Sequence, residues 1–326
     1  MRVLVFAYSE IGCAGLEHLL AAKEDIAAVV THRDDPREER WFRSVADVAR
    51  NAGLPVVLGE NLDREAVIQL AAKAAPDAIL SLYYRSLLPV QALATAPRGA
   101  FNLHGSLLPR LRGRAPLHWA LIEAEARTGV TLHHMIARAD AGDIVAQRAF
   151  DIGPRDTALD LHRRAVAEAM LLLAETWPQI QQGSAPRTPQ IESLATYRGR
   201  RTPEDGWIDW SQPARRIDGL VRAVAPPFPG AFTRVHGRRL AVWEGRPDES
   251  AAAAAGATPG LHVGGGIVAT GAGAYRIARC AFLDGADGVA GAAHPVEPAS
   301  LPANCRLDGP SRARPSEPAA PVRRPA

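Results

Sequence analysis

Through about residue 150 the chain alternates short apolar runs with stretches in which apolar residues recur every three to four positions. The runs at 2–7, 26–31, 55–58, 77–81 and 99–104 predict strands, and the periodic stretches at 14–22, 44–52, 64–74 and 86–93 predict helices between them. Regular strand–helix alternation predicts an α/β fold, with a Rossmann-like, mostly parallel sheet carrying helices on both faces. Such sheets take ligands beyond the carboxyl ends of their strands, and the fifth run ends on His104.

Further along, Pro116 suits the first turn of a helix, and 128–136 reads as another strand. Leu159, Val166, Met170, Leu173 and Trp177 share a helical spacing that predicts a long helix over 156–183, with a kink or an early end at Pro178. The pattern then breaks over 184–196. It resumes with a helix near 213–224, a hairpin of 231–235 and 238–244 around His236-Gly237, and short strands within 260–270 and 274–282. The predicted organisation is a catalytic domain over 1–190, a linker at 191–203, a small β-rich, OB-like domain over 204–285, and a disordered Ala/Pro/Arg-rich tail over 286–326. The alanine run 251–255 reads as a flexible insertion.

Composition narrows the partners. The formal net charge of the 326 residues is +3, and the stretch from Leu301 onward holds five arginines against Asp308 and Glu317, so the remaining body is neutral. A neutral body argues against a surface that tracks phosphates, and no nucleic-acid partner is expected. No apolar run approaches the ~18 residues that span a bilayer, so membrane insertion is not expected either. The start of the chain reads as a first strand rather than a leader, which predicts a cytoplasmic protein. Cys13, Cys280 and Cys305 lie far apart without ligand spacing, which fits a reducing compartment and no metal site. The turn after the first strand, residues 8–15, carries Gly12 and Gly15 but no Gly-x-Gly-x-x-Gly, so no NAD site is expected. The charged loop at 31–40 reads as solvated.

Candidate chemistry centres on 101–116, Phe-Asn-Leu-His-Gly-Ser-Leu-Leu-Pro-Arg-Leu-Arg-Gly-Arg-Ala-Pro. Asn102 and His104, two residues apart on a strand, face one side. Two interpretations stay open from the residues alone. The pair either satisfies backbone groups in a core strand or delivers an oxyanion donor and a proton carrier to a loop. Asp140, set among Ala139, Ala141 and Gly142, is by default a turn cap or Asx-turn, with a catalytic carboxylate as the alternative. His133 and His134 are adjacent and point to opposite faces, which makes them a poor joint metal site.

The constellation Phe101-Asn102-Leu103-His104-Gly105-Ser106-Leu107-Leu108-Pro109, with Arg112-Gly113 and Asp140-x-Gly142-Asp143, resembles the 10-formyltetrahydrofolate-dependent formyltransferases. The resemblance implies a one-carbon transferase with 10-formyltetrahydrofolate as cosubstrate, in which Asn102 stabilises the oxyanion, His104 is the acid/base group and Asp140 supports the histidine. Through Tyr83-Tyr84-Arg85, Gly113-Arg114-Ala115-Pro116 and Gly199-Arg200-Arg201-Thr202-Pro203, the chain is most similar over 1–245 to the branch that formylates UDP-4-amino-4-deoxy-L-arabinose in lipid A modification and polymyxin resistance. That implies a nucleotide-sugar substrate and a folate site using Ser86, Leu87, Leu88, Arg114, Ile136, Ala137, Arg138, Ala139 and Asp140, with Ser86 differing from the polar residue usual in that branch. It also implies that the decarboxylase joined to that branch is supplied by another protein. Methionyl-tRNA formyltransferase is the alternative activity. A non-catalytic folate-binding module and a formyltetrahydrofolate hydrolase are further alternatives. Oligomeric state is not legible.

Overall fold

The computed structural model describes residues 1–34, 40–248, 256–284 and 293–309. The chain divides into two compact units. One comprises 1–116, 127–151 and 162–197; the other comprises 117–126, 152–161 and the chain from 198 onward.

In chain order the elements up to residue 198 are β1 (Arg2–Ala7), α1 (Ser9–Ala21), β2 (Asp25–Thr31), α2 (Val45–Asn51), β3 (Val56–Leu58), α3 (Arg64–Ala74), β4 (Ala78–Leu82), α4 (Val90–Leu93), β5 (Gly99–His104), β6 (Arg112–Gly113), α5 (Pro116–Ile122), β7 (Arg127–His134), β8 (Ile144–Asp151), α6 (Ala158–Gln182) and β9 (Tyr197–Arg198). The main sheet runs β3-β2-β1-β4-β5-β7-β8. The first five strands pair in parallel, whereas β7 and β8 are antiparallel. Val3 to Ala7 in β1 and Ala78, Ile79, Leu80 and Leu82 in β4 are fully buried, which is why these central strands read as apolar runs, interrupted in β4 only by buried Ser81.

Two features depart from the sequence pattern. β8 went unread because it is an edge strand whose positions, apart from buried Val145, are half-buried or exposed and include Gln147 and Arg148. α6 does not stop at Pro178 but continues to Gln182. Proline there forfeits one backbone hydrogen bond. Buried Trp177 and Ile180 pack on either side of it, and Trp177 Nε1 donates to Glu24 Oε1 at 2.8 Å, which holds this turn in place.

His162 on α6 sits 5.0 Å from the Trp41 ring and 6.2 Å from the Tyr83 ring, and burial pushes its imidazole down to about 4. The unfolded chain takes a proton at this residue near 6.5, whereas the folded chain resists until about 4. The unfolded state therefore binds more protons in that window, and stability falls as pH drops through it, by no more than about 3 kcal/mol. Urea denaturation at pH 7 and at pH 4.5 is expected to show this loss, and His162→Phe is expected to reduce it.

The second unit holds α7 (Ala214–Ala223), β10 (Ala231–Val235), β11 (Arg238–Asp248), β12 (His262–Gly264), β13 (Ile267–Ala269), β14 (Ala274–Leu283), β15 (Ala293–Val296) and β16 (Leu307–Asp308). The β10–β11 hairpin turns at His236 (φ 49°) and Gly237 (φ 77°), the pair of left-handed residues that a two-residue turn requires. Its sheet runs β12-β13-β14-β11-β10-β16, with β15 added to β14. The two ends of that path meet, because Leu307 N–H donates to Gly260 O at 2.7 Å and His262 N–H to Cys305 O at 2.9 Å. This corrects the expectation of a disordered tail for residues 293–309. Leu301, Cys305 and Leu307 are buried, and these few apolar side chains anchor a segment whose Ala/Pro composition masks them. Residues 35–39 of the charged loop, the alanine run 251–255, residue 285 of the expected β-rich domain, and residues 286–292 and 310–326 of the expected tail lie outside the described residues.

Among the described residues no helix is long and apolar enough to cross a membrane, and no group of three or more His, Cys, Asp or Glu is placed to hold a metal ion. The three cysteines are free and buried.

Candidate active site

β5 places its two polar residues by strand alternation, with Asn102 paired to Ser81 of β4 and to His133 of β7, and His104 paired to Thr131. The chain then leaves the sheet at Gly105. A Cβ there would lie 2.1 Å from the Tyr83 hydroxyl, so only glycine lets the loop pass that ring. Thr131 Oγ1 fixes the next residues by donating to Ser106 O at 2.6 Å and accepting from Leu108 N–H at 3.2 Å. Gln147 adds a bond from Nε2 to Leu108 O at 2.9 Å.

Asp140 reaches this loop from the turn after β7, in a left-handed conformation with φ 52°. Its Oδ2 accepts from Gly113 N–H at 2.8 Å. Its Oδ1 lies 3.6 Å from His104 Nδ1, 3.5 Å from His133 Nε2 and 3.4 Å from Asn102 Nδ2. Burial by itself would raise the pKa of this carboxyl. The facing charge of His104, together with His133 and the Gly113 amide, outweighs burial and holds the group well below the usual carboxylate range. Asp140 is thus a fixed negative charge at the carboxyl end of β5.

His104 is 6% exposed, and its Nε2 donates to Leu111 O at 2.8 Å. Asn102 Nδ2 also lies 3.1 Å from His133 Nε2, while His133 Nδ1 donates to His134 O at 2.9 Å. His134 points the other way, as alternation requires, against the Phe101 ring at 4.9 Å, with Nε2 donating to Pro186 O at 2.9 Å.

The three candidate residues Asn102, His104 and Asp140 therefore converge, and His133 joins them. Its place was invisible in the sequence because it follows from the antiparallel register of β5 and β7. The signal that could have exposed it is the pairing of two polar residues on one sheet face.

The other candidates fall into two segments. Leu88, after β4, and Met135, after β7, pack in the same apolar cluster as Ala92, Ala96 and Ala100, which brings 86–88 and 136–140 to one face of the sheet. The neighbours of these two anchors stand out as apolar surface, with Leu87 73% and Ile136 50% exposed. Ser86, Arg114 and Ala137 are exposed, and Ala139 is half-buried. The Arg138 side chain turns away to bond Glu192 and, through Nε at 2.8 Å, Tyr197 Oη.

A family profile described as Formyl transferase matches residues 1–176, and one described as Formyl transferase, C-terminal domain, matches 200–287. The N-formyltransferase from Helicobacter canadensis, solved with folinic acid and dTDP-3-aminofucose, is 18% identical with a TM-score of 0.65, over 85% of this chain and 98% of that one. WlaRD, a sugar 3N-formyl transferase solved with dTDP and 5-N-formyl-THF, is 17% identical with a TM-score of 0.64, over 84% and 96%. HypX from Aquifex aeolicus is 20% identical with a TM-score of 0.58 over 86% of this chain, which spans only 44% of HypX. These likenesses establish a shared fold. The N-terminal profile alone covers more than half of the 326 residues, with the Asn102, His104 and Asp140 cluster inside it, and the chain belongs to the formyl transferase family of enzymes.

Proposed function

We propose that the protein transfers a formyl group from 10-formyltetrahydrofolate to the amine of a nucleotide-linked amino sugar, with UDP-4-amino-4-deoxy-L-arabinose the first candidate, in lipid A modification and polymyxin resistance. The observation that carries this is the Asp140 carboxylate, pinned by Gly113 N–H and facing both His104 Nδ1 and Asn102 Nδ2 at the end of β5. Two further features support it. The relatives solved with dTDP ligands match over nearly their whole length, and exposed Leu87 and Ile136 offer an apolar seat suited to a pterin ring.

The cosubstrate supplies the formyl carbon and a leaving nitrogen. Asn102 offers an N–H, released from its long contact with Asp140 Oδ1, to the oxygen that gains charge as the sugar amine attacks. His104 takes the proton from the attacking nitrogen and returns it to the leaving nitrogen, so no proton is gained or lost overall. Asp140 stabilises the ring while it carries that proton. The His104 Nε2 bond to Leu111 O has to give way during the cycle, since both ring nitrogens are otherwise engaged. Segments 86–88 and 136–140, with Arg114, would hold the folate.

The test is an assay of 10-formyltetrahydrofolate with UDP-4-amino-4-deoxy-L-arabinose, dTDP-linked 3-amino and 4-amino sugars, methionyl-tRNA, or no acceptor. Formylation of the UDP sugar is expected. Exclusive formylation of the tRNA, formate release without an acceptor, or folate binding without turnover would each replace this proposal with one of its alternatives.

A further inference from the structure

Arg112 is fully buried, and the groups that satisfy it come from a stretch whose composition reads as a linker. Gln190 Oε1 accepts from Arg112 Nε at 3.0 Å and Nη2 at 2.8 Å, while Nη1 donates to Glu192 Oε2 at 3.0 Å and to Tyr197 Oη at 2.9 Å. The other end of the same carboxamide faces the active-site turn. Gln190 Nε2 donates to Asp140 O at 2.9 Å and to Gly142 O at 2.7 Å. The stretch is held in register by Leu111 N–H on Thr196 Oγ1 and Arg112 N–H on Thr196 O, both at 2.8 Å.

We infer that Gln190 is a positioning residue that fixes the left-handed turn of Asp140, using Arg112 as its anchor. The inference rests on the formyl-transfer proposal for the meaning of Asp140, but its geometry stands apart from it. Every hydrogen-bonding position of the carboxamide is used, two accepting and two donating. Asp140 adopts a backbone conformation that side-chain-bearing residues rarely hold unaided, and Gln190 ties down the carbonyls of Asp140 and Gly142. This holds Oδ2 on Gly113 N–H and Oδ1 toward His104. A glutamate would keep the bonds to Arg112 and strengthen them, yet it would bring a carboxylate oxygen against two carbonyl oxygens. Gln190→Glu therefore separates a brace for Arg112 from a holder of Asp140.

The experiment compares wild type with Gln190→Glu, reading kcat and KM for the formyl donor together with the Gly113 amide in an ¹H–¹⁵N spectrum. The expected result is a kcat loss of about 10- to 100-fold, the range for supporting residues around a site, exceeding any rise in KM. The Gly113 amide is expected to move upfield and exchange faster as Asp140 is released. A kcat within about 2-fold of wild type, or a kcat loss with the Gly113 amide unmoved, overturns the inference. If Gln190→Glu does not fold, Gln190→Met, which lacks the donors but keeps the length, is judged by the same criteria. If wild type formylates no amine, the functional proposal fails, and the Gly113 amide alone still decides whether Gln190 holds the turn.

Discussion

Alanine at position 104 is expected to lower kcat for formyl transfer ~10²- to 10⁴-fold, the usual contribution of a positioned acid/base group. His104 is the only residue of β5 whose ring reaches the Asp140 carboxylate, and its other nitrogen is the one that can be released toward a substrate. Binding of 5-formyltetrahydrofolate is expected to stay within about 3-fold of wild type, because the proposed folate seat at Leu87 and Ile136 does not involve the imidazole. The substitution also removes one hydrogen bond to Leu111 O, worth about 1 kcal/mol, so thermal denaturation should show a folded protein. Steady-state kinetics with titrated folate binding checks the split. Near-normal turnover would remove His104 from the mechanism.

The largest expected effect on stability comes from one added methyl group. A Cβ on Gly142 would lie 1.9 Å from His134 O and 2.9 Å from His134 C, which is backbone at the end of β7 rather than a side chain able to swing away. Relief requires the turn and the strand to separate, although His134 N–H donates to Asp143 O at 2.8 Å across this junction. Gly142→Ala is expected to cost about 3 kcal/mol, at the upper end for overpacking, and to reduce activity by displacing Asp140 two residues upstream. Gly199→Ala, whose Cβ would meet nothing within 4 Å, is the matched control and is expected to be neutral. Chemical denaturation of the two variants beside wild type provides the comparison, and equal midpoints would contradict the prediction.

The sequence displayed the central sheet clearly because parallel strands buried on both faces are apolar along most of their length, even where β5 carries Asn102 and His104. Gly99–His104 and Arg64–Ala74 coincide with their predicted ranges for that reason and because Asp63 caps the helix, accepting from Ala66 N–H. The hairpin turn was legible from His236-Gly237, where local chemistry dictates conformation. What stayed hidden depends on partners distant along the chain. His133 enters the cluster through strand register, and Gln190 lies in a polar stretch with no periodicity, so neither carries a local signature. β8 has the composition of an edge strand, and β16 exists because a short segment finds unpaired edges at β10 and at the start of β12.

Residues 188–197 also bear on where a working piece of this protein can end. The N-terminal profile stops at 176, yet the backbone of Leu111 and Arg112, the Arg112 guanidinium and the Asp140 turn all take partners from beyond that point. A fragment cut at the profile boundary would keep the whole sheet and all three of Asn102, His104 and Asp140. It would nonetheless leave a buried guanidinium and two turn carbonyls exposed to water or unmatched. The boundary of similarity therefore falls short of the residues that brace the Asp140 turn, and a fragment that keeps this turn intact has to extend at least to Tyr197.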